Sequence, residues 1–543
     1  MTPPRYTRRR AIALGAGAAA AGLFVACTGG PASSPGKSAA PAHAFEVKAR
    51  PKIGKRPAPG MLRLGRLRNP GTGLPSDNED LLLAYARLVA VDPRGPTVFE
   101  DLARAVEVPD PQTVRFTIRD SQRFHRDTAG IEQPLSADSV RVDFQRHANE
   151  GVPVFSEVID RMDRPDSRTL VLHLKAPFGL LFELLAAPSA SVRGDGMYAG
   201  TTERVGSGTW VPTGRGTGTT RYTANPAMSG DQKPLLASID VVAANVASEL
   251  DAAFARGELD LRVHTAGMAP MGDHAAKGTT TQKRPARRMR GLGMSLLAQK
   301  NGVAVRNVPA FQDARVRRAV AMSLNREALL ALDGSYTSGP VGPAHAGDAI
   351  AEGDLTGHPI YRSGATEARK LLAAAGAENL PFRLLLPDLP FMLQIAQVVA
   401  EGLQGISFQP RLQNVPHDGW QKSFLAGDFE TTLFDLGGLD TPDAGLRLHT
   451  TEGVGGKFSL WGYSNPMYDV AVRGALSSVD PMERARKSRE AQRLLLDDGP
   501  AMLPLGAPPE YVSVAPGIAG YEFNAYDMNT GYLSTGWSAP QRA

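Results

Sequence analysis

Catalysis needs particular groups at particular spacings, and this 543-residue sequence supplies few of them. No Gly-x-Ser-x-Gly elbow offers a nucleophile, no Walker A loop cradles a phosphate, and no His-Glu-x-x-His places two imidazoles on one helix face. Gly206-Ser207-Gly208 is too short a motif to mark a serine nucleophile. The ten histidines are scattered, with no pair spaced i, i+4, and the single cysteine, Cys27, cannot complete a cysteine-based zinc or iron–sulfur site. No enzyme activity, metal or cofactor is therefore expected. The basic run Lys283, Arg284, Arg287, Arg288 and Arg290 reads as a solvated loop, or else as an anion site near a hinge. Arg315, Arg317 and Arg318 read as the exposed side of a helix.

Cys27 has a different chemistry open to it. Arg8, Arg9 and Arg10 precede an apolar run from Ala11 to Ala26, the pattern of an export signal, residues 1–26. At about 1.5 Å per residue that run reaches only about 24 Å, short of a hydrocarbon core. The adjacent arginines resemble a twin-arginine signal, but Ala11 stands where a bulky residue is usual, so the general secretory route stays open. Phe24-Val25-Ala26-Cys27 resembles a bacterial lipobox, which implies that Cys27 becomes the lipidated first residue of the mature chain. Acyl chains contribute about 0.8 kcal/mol per buried methylene and would hold the protein on a membrane surface. Residues 27–59 are rich in Pro, Ala, Gly, Ser and Lys, a composition that suits a flexible tether.

The elements that must position any site follow from composition and periodicity. The chain is 42% hydrophobic and 21% charged, too apolar for disorder and too long for one core. Its net charge of +5 sits in the N-terminal stretch: residues 1–26 hold four arginines and no acid, and 28–59 hold six basic residues against Glu46. From Gly60 onward the chain is net acidic, which argues against nucleic acid as a partner. Residues 61–67 read as a strand, and Ser76 to Glu79 as a capping box before a helix carrying Leu81, Leu82, Tyr85, Leu88 and Val89. Alternation on either side of Pro109-Asp110-Pro111 predicts a hairpin, and Leu170, Leu172 and Leu174 predict a strand of a second. Ser136 and Asp313 are placed to cap helices, Gly376 to end one, and residues 393–403 and 481–496 to form two more. Strand and helix alternating in this way predict α/β lobes with mainly parallel sheets.

A series of blocks, in order, resembles the peptide/nickel-type (family 5) extracellular solute-binding proteins of ABC importers. They are Phe99 to Ala103, Phe116 to Arg119, Phe124-His125-Arg126-Asp127, Pro134 to Val140, Gly206 to Trp210, Ala255 to Asp260, Phe311 to Ala319 with Asn325-Arg326, Ala368 to Gly376, Asp440-Thr441-Pro442-Asp443, and Tyr463 to Asp469. The resemblance implies an α/β, two-lobe periplasmic-binding-protein-like (type II) fold with an extra subdomain on the first lobe. Lobe I would take residues 60–91, 205–299 and 491–543, the added subdomain 92–204, and lobe II 300–490. It further implies that Asp440 pairs with a peptide's α-ammonium group, a role suited to a partly desolvated carboxylate. Asp443 reads as a structural turn residue. Gly437, in Leu436-Gly437-Gly438-Leu439, stands where the family commonly has a tryptophan, so the pocket wall is reshaped there, and Trp210 and Trp461 are candidates for other walls.

The expected function is a monomeric lipoprotein that captures an oligopeptide or related small solute between two lobes and delivers it to ABC permease subunits. A ligand-sensing or scaffold lipoprotein on the same fold is the alternative.

Overall fold

The computed structural model describes residues 43–45, 60–67, 81–92, 97–120, 122–201, 203–228, 233–264, 278–300, 303–437, 439, 441–453, 460–521 and 534–540. The chain forms two compact units: Met1–Arg284 with Ser477–Pro481 and Glu510–Ala543, and Pro285–Leu476 with Met482–Pro509. The chain crosses between the units after Arg284 and again after Pro509, with Ser477–Pro481 also in the first unit. The strands Met289–Met294 and Met502–Gly506 belong to the sheet of the second unit. Both are buried at every residue, so neither shows the in–out alternation that reveals a strand.

In the first unit a seven-stranded sheet runs in the order Thr280–Pro285, Pro509–Val514, Leu261–Val263, Met61–Leu67, Ser238–Ala244, Thr219–Ala224 and Trp210–Arg215. Met61–Leu67 is parallel to both of its neighbours, and the outer pairings through Leu261–Val263, Ser238–Ala244 and Thr219–Ala224 are antiparallel. A second, antiparallel sheet takes His43–Phe45, Ala103–Asp110, Thr113–Ile118, Thr169–Leu174 and Ile159–Asp163. Both sheets correct the expectation of mainly parallel pairing. Residues 43–45, inside the stretch read as tether, pair with Val106 to Val108. The expected hairpin closes where Gln112 donates its N–H to Asp110 Oδ1 at 2.8 Å. Ser136 and Ser139 form a reciprocal cap on Ala137–Asn149, which buries Val140 and Phe144.

The helix expected through Val89 stops at Ala84, and Val89–Asp92 instead pairs with Thr97–Glu100. Leu88, Val89 and Ala90 are fully buried, and β-branched residues buried on both faces favour a strand. The capping box at 76–79 lies outside the described residues.

The second unit holds a five-stranded sheet in the order Gln409–Val415, Pro381–Pro387, Thr431–Leu436, Met289–Met294 and Met502–Gly506. The first three are parallel and the last two antiparallel to their neighbours. Asp313 accepts the Arg315 N–H at the start of Ala314–Ser323, and Gly376 ends Ala365–Ala375 in the left-handed conformation at φ 64°. Pro390–Gln404, His417–Ala426, Pro466–Leu476 and Pro481–Asp498 complete the main helices. Gly293 has a packing reason: a Cβ there would overlap the Trp461 ring, which lies against this strand.

Two charged segments differ from their sequence reading. Arg317 is buried, donating from Nη1 to the carbonyls of Phe311 (3.0 Å) and Gln312 (2.8 Å), so it belongs to the helix's inner side. The basic run is largely strand rather than a solvated loop: Lys283 and Arg284 lie in Thr280–Pro285 and Arg290 in Met289–Met294, with Arg287 and Arg288 between them. Arg284 meets Glu510 at 2.7 Å, Arg288 meets Asp435 at 3.0 Å, and buried Arg290 bridges Asp333 and Asp435. Arg284, Arg288 and Arg290 each found a carboxylate distant in sequence.

Candidate ligand-binding site

The block expected to touch ligand begins where the strand Thr431–Leu436 ends. That strand pairs with Met289–Met294, opposing Leu436 to Met289 and Asp435 to Arg290. The pairing continues past the strand, where the Leu439 N–H reaches the Arg287 carbonyl at 3.3 Å. The Leu439 carbonyl in turn accepts from buried His345 Nε2 at 2.7 Å, which places the imidazole proton on Nε2. Thr441 then leads into Pro442–Arg447, a short helix with proline at its first position.

Gly437 is exposed, and a Cβ on it would stand 3.0 Å from Arg288 Nη1. Arg288 is held by Nε and Nη2 on one Asp435 oxygen, at 3.1 and 3.0 Å. Its guanidinium therefore lies against the backbone where a larger residue would have stood. A void of about 10 Å³ sits among Arg288, His345, Leu439 and Thr441, room for about one water. Asp443 is 2% exposed. Its Oδ2 pairs with Arg447 at 2.8 Å, while Oδ1 has no hydrogen-bond partner among the described residues. Asp440, Gly438 and Cys27 lie outside the described residues.

The tryptophans sit in cores. Trp210, in the first unit, is fully buried and donates its indole N–H to Ser534 Oγ at 2.8 Å. Trp461, in the second unit, is fully buried among Phe424, Phe429 and Phe434, with ring centroids 5.4–5.9 Å away. Trp420 bonds Thr432 Oγ1 and the Leu433 carbonyl, both at 3.1 Å. His345 and Arg288 carry the most evident polar contacts of the block, and sequence reading did not single out His345. No local pattern links it to a carbonyl 94 positions away.

Family blocks in the first unit are knitted to one another. His125 is buried, its Nε2 bonded to the Gly208 carbonyl at 2.9 Å and its Nδ1 to Tyr198 Oη at 2.6 Å. Burial pushes its pKa down to about 4, so the ring is neutral. Tyr198 Oη also accepts the Gly206 N–H at 2.9 Å. Gly206 and Gly208 pass against the Ala84 backbone, where a Cβ would overlap. Asp260 accepts the Arg63 backbone N–H at 2.7 Å and so ties its turn to the strand Met61–Leu67.

Among known families, that of the bacterial extracellular solute-binding proteins, family 5 (middle region), matches residues 97–457. The chain belongs to this family. Its members are binding proteins, not enzymes, and the family is extracytoplasmic. Among the described residues no helix is long and apolar enough to cross a membrane, and no group of three His, Cys, Asp or Glu could hold a metal ion. Protein XP55 of Streptomyces lividans is 26% identical over 415 residues, which cover 72% of each chain. Among solved structures, HbpA2 of Haemophilus parasuis superposes with a TM-score of 0.73 at 17% identity, covering 89% of this chain and 100% of that one. The unliganded open form of MppA, a periplasmic murein tripeptide binding protein, also gives 0.73 at 17% identity, over 90% and 99%. The fold is the mixed α/β, type II periplasmic-binding-protein-like fold with several sheets.

Proposed function

We propose that this family 5 protein is a membrane-anchored receptor that captures a peptide or related amine-bearing small solute and delivers it to an ABC permease. The observation that carries the reading is the family match over residues 97–457, which runs through both units. MppA, similar in fold, is named for binding a murein tripeptide, which supports a short peptide as the ligand class. Asp440 is assigned the ligand's ammonium group on the family resemblance, a carboxylate and an ammonium forming a charge-assisted bond. At that wall Gly437 has the Arg288 guanidinium beside it in place of a bulky ring.

Capture by lobe closure would couple ligand contacts to a change of shape, since contacts made only in the closed form shift the equilibrium by their differential affinity. Cys27 is assigned the lipid anchor, with the following Pro- and Lys-rich residues as its leash. Thermal stabilisation across a peptide library, with mass spectrometry of whatever co-purifies, tests the reading. Stabilisation by one peptide class is expected, and none by any peptide overturns it. Cys27→Ser is expected to release the mature protein from the membrane fraction.

A further inference from the structure

The second unit contains a cavity of about 340 Å³ whose lining includes Glu430 but none of Gly437, Leu439 and Thr441 to Asp443. Glu430, immediately before the strand Thr431–Leu436, lines the cavity, while Gly437 to Asp443 follow the strand's last residue. Six residues at about 3.3 Å each put Glu430 about 20 Å from Gly437, and Val415 and Pro416 carry the lining to the end of the strand Gln409–Val415, which pairs with Pro381–Pro387. The volume suits a small solute rather than one or two waters.

Its lining has a definite chemistry. Leu385 and Phe429 are buried and supply an apolar floor. Glu430 is fully engaged: its Oε1 takes Arg383 Nε at 3.0 Å and Nη2 at 2.8 Å, and its Oε2 takes the Arg383 backbone N–H at 2.6 Å. Arg383 is thereby fixed in place, with Nη1 left without a hydrogen-bond partner among the described residues. Across the lining, Arg306 and Asp428 stand 3.6 Å apart, too far for a direct hydrogen bond, and are about half exposed. One loose cation and one loose anion are thus set beside a fixed guanidinium. Gly419, on the helix His417–Ala426, also lines the space, and a Cβ there would meet nothing within 4 Å.

We infer that this cavity is a second solute site, for an amino-acid-sized zwitterion, separate from the Asp440 block. The guest's carboxylate lies between Arg306 and Arg383 Nη1, and its ammonium group takes Asp428. A solute with one charge leaves Arg306 or Asp428 paired only with the other, and so gains little over water. The guest's side chain rests on Leu385 and Phe429.

Isothermal titration of the full-length protein with L-alanine, and with acetate and methylammonium as single-charge controls, tests this. Saturable binding of L-alanine alone is expected, weakened at least tenfold by Asp428→Asn and by Arg306→Gln. Gly419→Phe fills the cavity and abolishes it; since Gly is the poorer helix former and the added Cβ enters open space, this variant keeps the native fold. Asp440→Asn leaves it unchanged. No saturable binding, equal binding of acetate, or binding that survives Gly419→Phe overturns the inference. Peptide capture is expected to persist in Gly419→Phe, so failure here is distinguishable from failure of the proposed function.

Discussion

The His125–Gly208 region of the first unit and the Gly437–Gly445 region of the second are both family blocks, yet they are built differently. In the first, both ring nitrogens of His125, the Tyr198 hydroxyl and the Gly206 N–H are all paired, and the glycines press on backbone. In the second, Gly437 is exposed against the Arg288 guanidinium, Asp443 Oδ1 lacks a partner among the described residues, and a water-sized void remains. In the first region the glycines pressed on backbone and the paired imidazole brace the fold, and Ser207 Oγ is buried there without a partner among the described residues. In the second, an exposed glycine beside a side-chain tip leaves surface that can still meet a ligand.

That contrast is open to test. Gly206→Ala forces a Cβ onto the Ala84 carbonyl and should destabilise the protein by about 3 kcal/mol in urea denaturation. If it costs nothing, the first region is not the rigid brace described here. The pH dependence comes next. His125 is neutral in the fold, with a pKa of about 4, whereas the unfolded ring titrates near 6.5. Between those values the unfolded state binds a proton that the native state does not, so stability falls as pH drops from 6.5 to 4 and this group is silent above 6.5. The full effect is about 3 kcal/mol, and His125→Gln should flatten that part of the stability–pH curve. His449, fully buried in the second unit and pushed down to about 3, adds to the same acid loss.

Function-side changes should be gentler on the fold. Asp440→Asn is expected to weaken binding of an amine-bearing peptide about tenfold or more, with the denaturation midpoint unchanged. Unchanged affinity would remove Asp440 from the site. The smallest effect belongs to Gly437→Ala, whose Cβ needs only a shift of the Arg288 tip. A stability change under about 0.5 kcal/mol is expected there, and a loss like that of Gly206→Ala would erase the distinction between the two regions.

Local grammar made much of the architecture legible. Ser136, Asp313 and Gly376 cap helices as their residue types dictate, and the turn at Asp110 closes its hairpin. The ordered blocks pointed to the family that the match over 97–457 shows. What escaped was non-local. Met289–Met294 is apolar and glycine-rich without alternation, because it lies inside a sheet with side chains packed on both faces. Arg284, Arg288 and Arg290 looked solvated because their carboxylates, at 510, 435 and 333, are far away in the chain.

By itself, the sequence determined the acidic body behind a basic N-terminal stretch, the caps and turns, and the family, since each depends on neighbours within a few residues or on motif order. Only the tertiary structure decided that Trp210 and Trp461 are core rings, that Arg317 faces inward, and that Arg288 lies over Gly437. Burial and ion pairing depend on groups brought together from distant positions, and no pattern of period 2 or 3.6 encodes which of them will meet.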